Sequence, residues 1–99
     1  MQYNYFEWEK SDMFEKEVTV QNQVGLSARP ATFFIQKANC FKSSVWVEKD
    51  NRRVNAKSLL GVLSLGIDGG MTVKVMANGP DEEQAVQELV ELVDSGFAV

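Results

Sequence analysis

Two serines stand where an anion could be held. In "QVGLSARPAT", residues 23–32, Ser27 follows a glycine closely and precedes Arg29 and Pro30. A serine caps a helix when its hydroxyl accepts from the first backbone N–H groups. A proline suits the first turn, because its missing N–H has no intrahelical partner there. The remaining N–H groups, the helix dipole and the Arg29 guanidinium would together form a small positive cradle for a phosphate. The plainer alternative is an N-cap beside a surface arginine. Ser58, preceded by Lys57, opens a second helical pattern in "KSLLGVLSLG". A phosphate on Ser58 would sit at a helix N-terminus and gain from its free N–H groups without disrupting the fold. An ordinary cap is again the alternative.

What the chain lacks narrows the chemistry. It has no histidine and a single cysteine among 99 residues. Serine needs a base to become a nucleophile, and no imidazole is present to serve. No serine–lysine or paired-carboxylate signature stands out, so a conventional enzyme is the weaker class. Zinc has almost no ligands to draw on, and neither a metal nor a cofactor is expected. Cys40, between Ala38 and Phe41 in a helical pattern, reads as a buried, inert thiol. A net charge of −4 argues against direct nucleic-acid binding, which needs clustered Lys and Arg. The one dense basic spot, Arg52 with Arg53, reads as a solvated hairpin end. No apolar run is long enough to span a membrane, and Met1–Asp12 lacks the pattern of a secretory signal. The expected location is cytoplasmic.

The candidate serines need elements to position them. Phe14–Val20 alternates as a half-buried strand, with Lys16 interrupting the inward set. Ala31, Phe34, Ile35, Ala38 and Phe41 then mark one face of a helix over Ala28–Phe41. Val45 and Val47 alternate with Trp46 and Glu48, Asp50-Asn51 makes a turn, and Val54 returns as the second arm of a hairpin. A short helix runs from Ser58 to near Gly66, and "MTVKVMA" is a further strand. The last helix buries Ala85, Val86, Leu89, Val90 and Val93 and stops at Gly96. The order is βαββαβα. Four strands with three helices on one face make an open-faced α+β sandwich. Residues 1–13 form an N-terminal extension bearing Tyr3, Tyr5, Phe6 and Trp8, ahead of a domain over residues 14–99.

The helix after Ser58 has an unusual surface. Leu59, Leu60, Val62, Leu63 and Leu65 cover nearly every side of it. A domain of this size, with one two-layer core, cannot bury all of them. Some of these leucines should stay exposed as a docking patch.

"GLSARPAT" followed by "VNAKSLLGVLSLG" resembles the HPr family of phosphocarrier proteins of the bacterial sugar phosphotransferase system. The resemblance covers roughly Phe14–Phe97, and it implies that family's four-stranded antiparallel sheet. The family's carrier motif is Gly-x-His-Ala-Arg-Pro, whose histidine takes phosphate from one protein and hands it to the next. Here Ser27 occupies that position, while Arg29 matches the phosphate-cradling arginine. Ser58 matches the serine that an ATP-dependent HPr kinase/phosphorylase modifies in low-GC Gram-positive relatives. The Crh branch of the family has also lost the histidine, with glutamine in its place, and acts as corepressor of a LacI-type catabolite control regulator. The resemblance therefore implies a regulatory module phosphorylated on Ser58, with Ser27, Arg29, Lys57, Leu59, Leu60 and Leu63 forming the partner surface. A serine phosphate is a stable ester, unlike the reactive P–N bond of phosphohistidine, so Ser27 would trap phosphate rather than relay it. Two alternatives stay open: a sugar-uptake phosphocarrier altered at Ser27, and an unmodified scaffold competing for HPr partners.

Overall fold

The computed structural model describes residues 13–98. The extension's aromatic residues, Tyr3 to Trp8, lie outside the described residues. The elements are β1 (Phe14–Thr19), α1 (Ala28–Ala38), β2 (Ser44–Lys49), β3 (Arg52–Asn55), α2 (Leu59–Ser64), β4 (Thr72–Asn78) and α3 (Glu82–Asp94). This is the βαββαβα order that the periodicity predicts. The strands form one sheet in the order β1-β4-β2-β3, and every pairing is antiparallel.

One face of the sheet makes the core. Val18, Val45, Val47, Val73, Val75 and Ala77 join Phe34 and Ala38 of α1, Val62 of α2, and Val86, Leu89 and Val93 of α3 in a single apolar cluster. All three helices therefore cover the same face, as alternation along each strand requires. Lys16 has the inward parity, opposite Val75, yet stays exposed because β1 is an edge strand.

Local chemistry sets the turns. Asp50 and Asn51 both take positive φ, 53° and 67°, the pattern of a two-residue type I′ hairpin turn. At the end of α3, Gly96 N–H donates to the Val93 carbonyl and Phe97 N–H to that of Leu92. With Gly96 at φ 71°, this is a Schellman close at the predicted stop. The start of α3 is tied to the loop before β2. The Asp81 carboxylate accepts from the Ser43 hydroxyl and from the Lys42 and Ser43 N–H groups. The Ser43 hydroxyl bond, helped by the backbone donors, holds the Asp81 carboxyl down to about 2.

Three expectations are corrected. α1 ends at Ala38 rather than Phe41. The Asn39 side chain folds back to the Ile35 carbonyl at 2.8 Å and competes with continuation of the helix. Cys40 consequently falls in the turn beyond the helix and is exposed, not buried. Phe41 still reaches the core. On α3, Leu92 is buried while Val90 is only half-buried.

Candidate functional site

The loop before α1 is seated by a glycine. Gly25 has φ +67°, and a Cβ there would lie 2.0 Å from the Ile67 carbonyl oxygen. Only a residue without a side chain permits that approach in that conformation. The next residue, Leu26, is buried and donates its N–H to the same carbonyl at 2.9 Å. The loop that delivers Ser27 is thus anchored on the segment that follows α2.

Ser27 occupies the N-cap position of α1 with extended backbone, but its side chain makes no cap bond. The expected acceptor role is corrected: the hydroxyl donates to the Val24 carbonyl at 2.9 Å. Ser27 and Arg29 are both exposed, and Pro30 lies in the first turn as predicted. Val24, which the sequence reading did not single out, is 58% exposed beside them. Its signal was available: an apolar residue immediately before a turn glycine, outside any amphipathic pattern.

Ser58 behaves in the opposite way. It is the N-cap of α2, and its oxygen accepts from Gly61 N–H at 3.1 Å. The residue is half-buried. Lys57 extends its ammonium to the Phe41 carbonyl at 2.7 Å, tying the start of α2 to the loop beyond α1. The far end of α2 is held by two cations. Lys49 Nζ donates to the Leu65 carbonyl at 3.1 Å and Arg52 to that of Ser64 at 3.2 Å. Positive charge at a helix C-terminus complements its dipole. The basic hairpin end therefore has a structural use that its sequence did not disclose, and Arg53 pairs with Glu48 on the same hairpin.

These bonds fix the layout. The start of α2 lies by the end of α1, through Lys57 and Phe41, while the segment after α2 meets the loop before α1, through Ile67 and Leu26. The two helices run antiparallel, and Ser27 and Ser58 mark opposite ends of the surface between them. Six helical residues span about 9 Å. Along that span Leu60 is 82% exposed, and Leu59 and Leu63 are each 39% exposed. Val62 and Leu65 turn inward and are buried. The expected apolar patch is present.

Residues 14–95 match the family model described as the PTS HPr component phosphorylation site. The chain belongs to the HPr family. It is 44% identical over 82 residues to the HPr-like protein Crh of Halalkalibacterium halodurans, covering 83% of this chain and 98% of that one. Its fold is similar to that of HPr-C-His from Thermoanaerobacter tengcongensis, with a TM-score of 0.84, 49% identity, and 87% and 97% of the two chains covered. The crystal structure of Bacillus subtilis Crh matches with a TM-score of 0.69 and 42% identity, over 85% and 97%. With HPr-like protein Crh among its relatives, this is a Crh-like member of the HPr family. Its relatives are phosphocarrier and HPr-like proteins rather than enzymes, and it is a non-enzymatic member of the family. No helix among the described residues is long and apolar enough to cross a membrane.

Proposed function

We propose that this HPr-like protein is a switched partner rather than a phosphate relay. In this reading an ATP-dependent HPr kinase/phosphorylase modifies Ser58. The phosphorylated protein then acts in the cytoplasm as corepressor of a LacI-type catabolite control regulator. The step balances simply. A bond forms between Ser58 Oγ and the γ-phosphorus, the bond from that phosphorus to ADP breaks, and the hydroxyl proton passes to a base of the kinase.

One observation carries the reading: a cap serine whose oxygen accepts from the backbone borders an apolar ridge of Leu59, Leu60 and Leu63. A regulator seated on that ridge would gain about 1.5–3 kcal/mol from burying Leu60, and less from Leu59 and Leu63, which are already partly covered. A phosphate on Ser58 would add charge-assisted hydrogen bonds to the partner's Arg or Lys. Ser27 and Arg29 would form the far edge of the same surface, and Lys57 would hold the start of α2 in place.

The test is incubation with the kinase and ATP, followed by mass mapping and a regulator-binding measurement. Phosphate is expected on Ser58, with tighter regulator binding after it. No phosphate on Ser58 overturns the switch, and binding indifferent to the phosphate overturns the corepressor role. Binding that survives Ser58→Ala under all conditions would favour the unmodified scaffold instead.

A further inference from the structure

Most glycines of this chain have a reason in the fold. At Gly25, Gly69 and Gly79 a Cβ would lie 2.0, 2.2 and 2.5 Å from another part of the chain, so a side chain is excluded by collision. Gly66, Gly70 and Gly96 take positive φ, which other residues rarely adopt. Of the seven glycines, Gly61 alone has neither cause. It sits inside α2, where glycine is destabilising relative to alanine because it surrenders the most backbone freedom. A Cβ there would come no nearer than 3.3 Å, to the Asn55 carbonyl oxygen, only slightly inside ordinary contact. Neither packing nor conformation accounts for a glycine in a helix of six residues.

What the missing methyl leaves is room at Ser58. The Ser58 Oγ lies 3.1 Å from the Gly61 nitrogen. A Cβ on Gly61 would stand 3.4 Å from that oxygen and 3.4 Å from Ser58 Cβ, in van der Waals contact with the hydroxyl. A free hydroxyl tolerates such a neighbour. Phosphoryl transfer needs more space, because a phosphorus with three further oxygens must come up to the same atom. The turn that carries Ser58 has little freedom to draw back. Lys57 N–H donates to Asn55 Oδ1 at 2.8 Å, and Ser58 N–H to the Asn55 carbonyl at 3.1 Å. We infer that Gly61 determines whether Ser58 can be phosphorylated: having no side chain, it keeps open the flank of the hydroxyl that the phosphorus approaches. It takes no part in the chemistry and acts only by the space it leaves. The inference rests on the reading of Ser58 as the kinase's target.

Full-length protein carrying Gly61→Ala tests this. With the kinase and ATP, kcat for Ser58 should fall about tenfold or more, as expected when the reacting atoms are held apart. KM for the protein should hardly change, since Leu60 and Leu63 stay exposed. The urea midpoint should not fall, because alanine is the better helix former. A second measurement needs no kinase. With Cys40→Ser and Ser58→Cys together, the thiol at position 58 is the only one in the chain. Its alkylation by iodoacetamide, in which sulfur bonds to carbon and iodide leaves, should slow severalfold when Gly61→Ala is added, compared at equal thiolate fraction. A parent protein that takes no phosphate on Ser58 overturns the underlying reading and this inference with it. A parent that is phosphorylated, beside Gly61→Ala with the same kcat, overturns the inference alone. Equal alkylation rates overturn it too, as does a loss confined to KM, which would place Gly61 in docking. A Gly61→Ala chain that unfolds would mean that packing demands the glycine, and would also overturn it.

Discussion

Ser27 and Ser58 hold the same position, N-cap of a short helix, on one surface of one small domain, yet their hydroxyls point to opposite chemistry. Ser27 gives its proton to the Val24 carbonyl and leaves α1 without a side-chain cap. Ser58 accepts from Gly61 and caps α2. A hydroxyl that serves as acceptor still has its own proton to surrender when a phosphate arrives. One already donating to a backbone carbonyl must first break that bond. Ser27, which the family resemblance sets at the carriers' histidine position, is turned back on its own loop. The other serine is presented with its oxygen fixed against the start of a helix and with exposed leucines beside it.

The sharpest way to break this contrast is to exchange the chemistry at each position. Ser58→Ala should abolish phosphate incorporation from ATP and the kinase, while Ser27→Ala should leave it intact by mass mapping. Ser27→His should confer phosphate uptake from phosphoenolpyruvate through the first enzyme of the sugar phosphotransferase pathway, because the loop, Arg29 and the helix start are all retained. The unchanged protein should take up none. Equal labelling of Ser27 and Ser58 by the kinase would remove the distinction drawn between them.

The ridge between the serines gives the next effect. Leu60 is 82% exposed, so Leu60→Ala should leave unfolding within about 0.5 kcal/mol of the parent. If the ridge is the partner surface, the same change should weaken regulator binding about tenfold, from roughly 1.5 kcal/mol of lost apolar burial. A calorimetric titration beside a denaturant curve separates the two.

A third helix start supplies the control, since Asp81 at the head of α3 also makes no cap bond and turns its side chain on Ser43. Its pKa is depressed from 3.8 to about 2. The stability it contributes is therefore fully present above pH 4 and is lost as pH falls toward 2. Asp81→Asn should flatten the acid limb of the stability curve in that window while leaving Ser58 phosphorylation unaltered. An acid limb that does not change would mean the Asp81–Ser43 tie is absent in solution.

The two serines were not equally legible. The Ser58 cap could be read because its cause is local: a serine at the head of an apolar helical run. The reversed bond of Ser27 depends on Gly25 at positive φ, held against the Ile67 carbonyl by a contact remote in sequence. No pattern around Ser27 discloses it. The order of elements along the chain followed from the changes of period, the inward faces of the strands from alternation, and the exposed leucines from counting apolar positions around one short helix. Cys40 was misplaced because the helical period continues through Phe41 while the backbone stops at Ala38, diverted by the Asn39 side chain.

The smallest effect is the most direct measure of the contrast. Removing a side-chain N-cap costs typically about 1 kcal/mol, because a helix N–H loses its partner. Ser58→Ala should lower unfolding stability by that amount, since Gly61 N–H is then left uncapped. Ser27→Ala removes only a bond from an exposed hydroxyl to a loop carbonyl, and should cost less than about 0.5 kcal/mol. Ser58→Asp supplies the cross-check: aspartate is as good a cap as serine and favours a helix N-terminus. It should restore the stability lost in Ser58→Ala while accepting no phosphate from the kinase, so that cap and modification separate at one position. Urea unfolding of the three variants at pH 7 decides the matter. If Ser27→Ala proves as costly as Ser58→Ala, both serines cap their helices in solution, and the opposed hydroxyls do not distinguish the two sites.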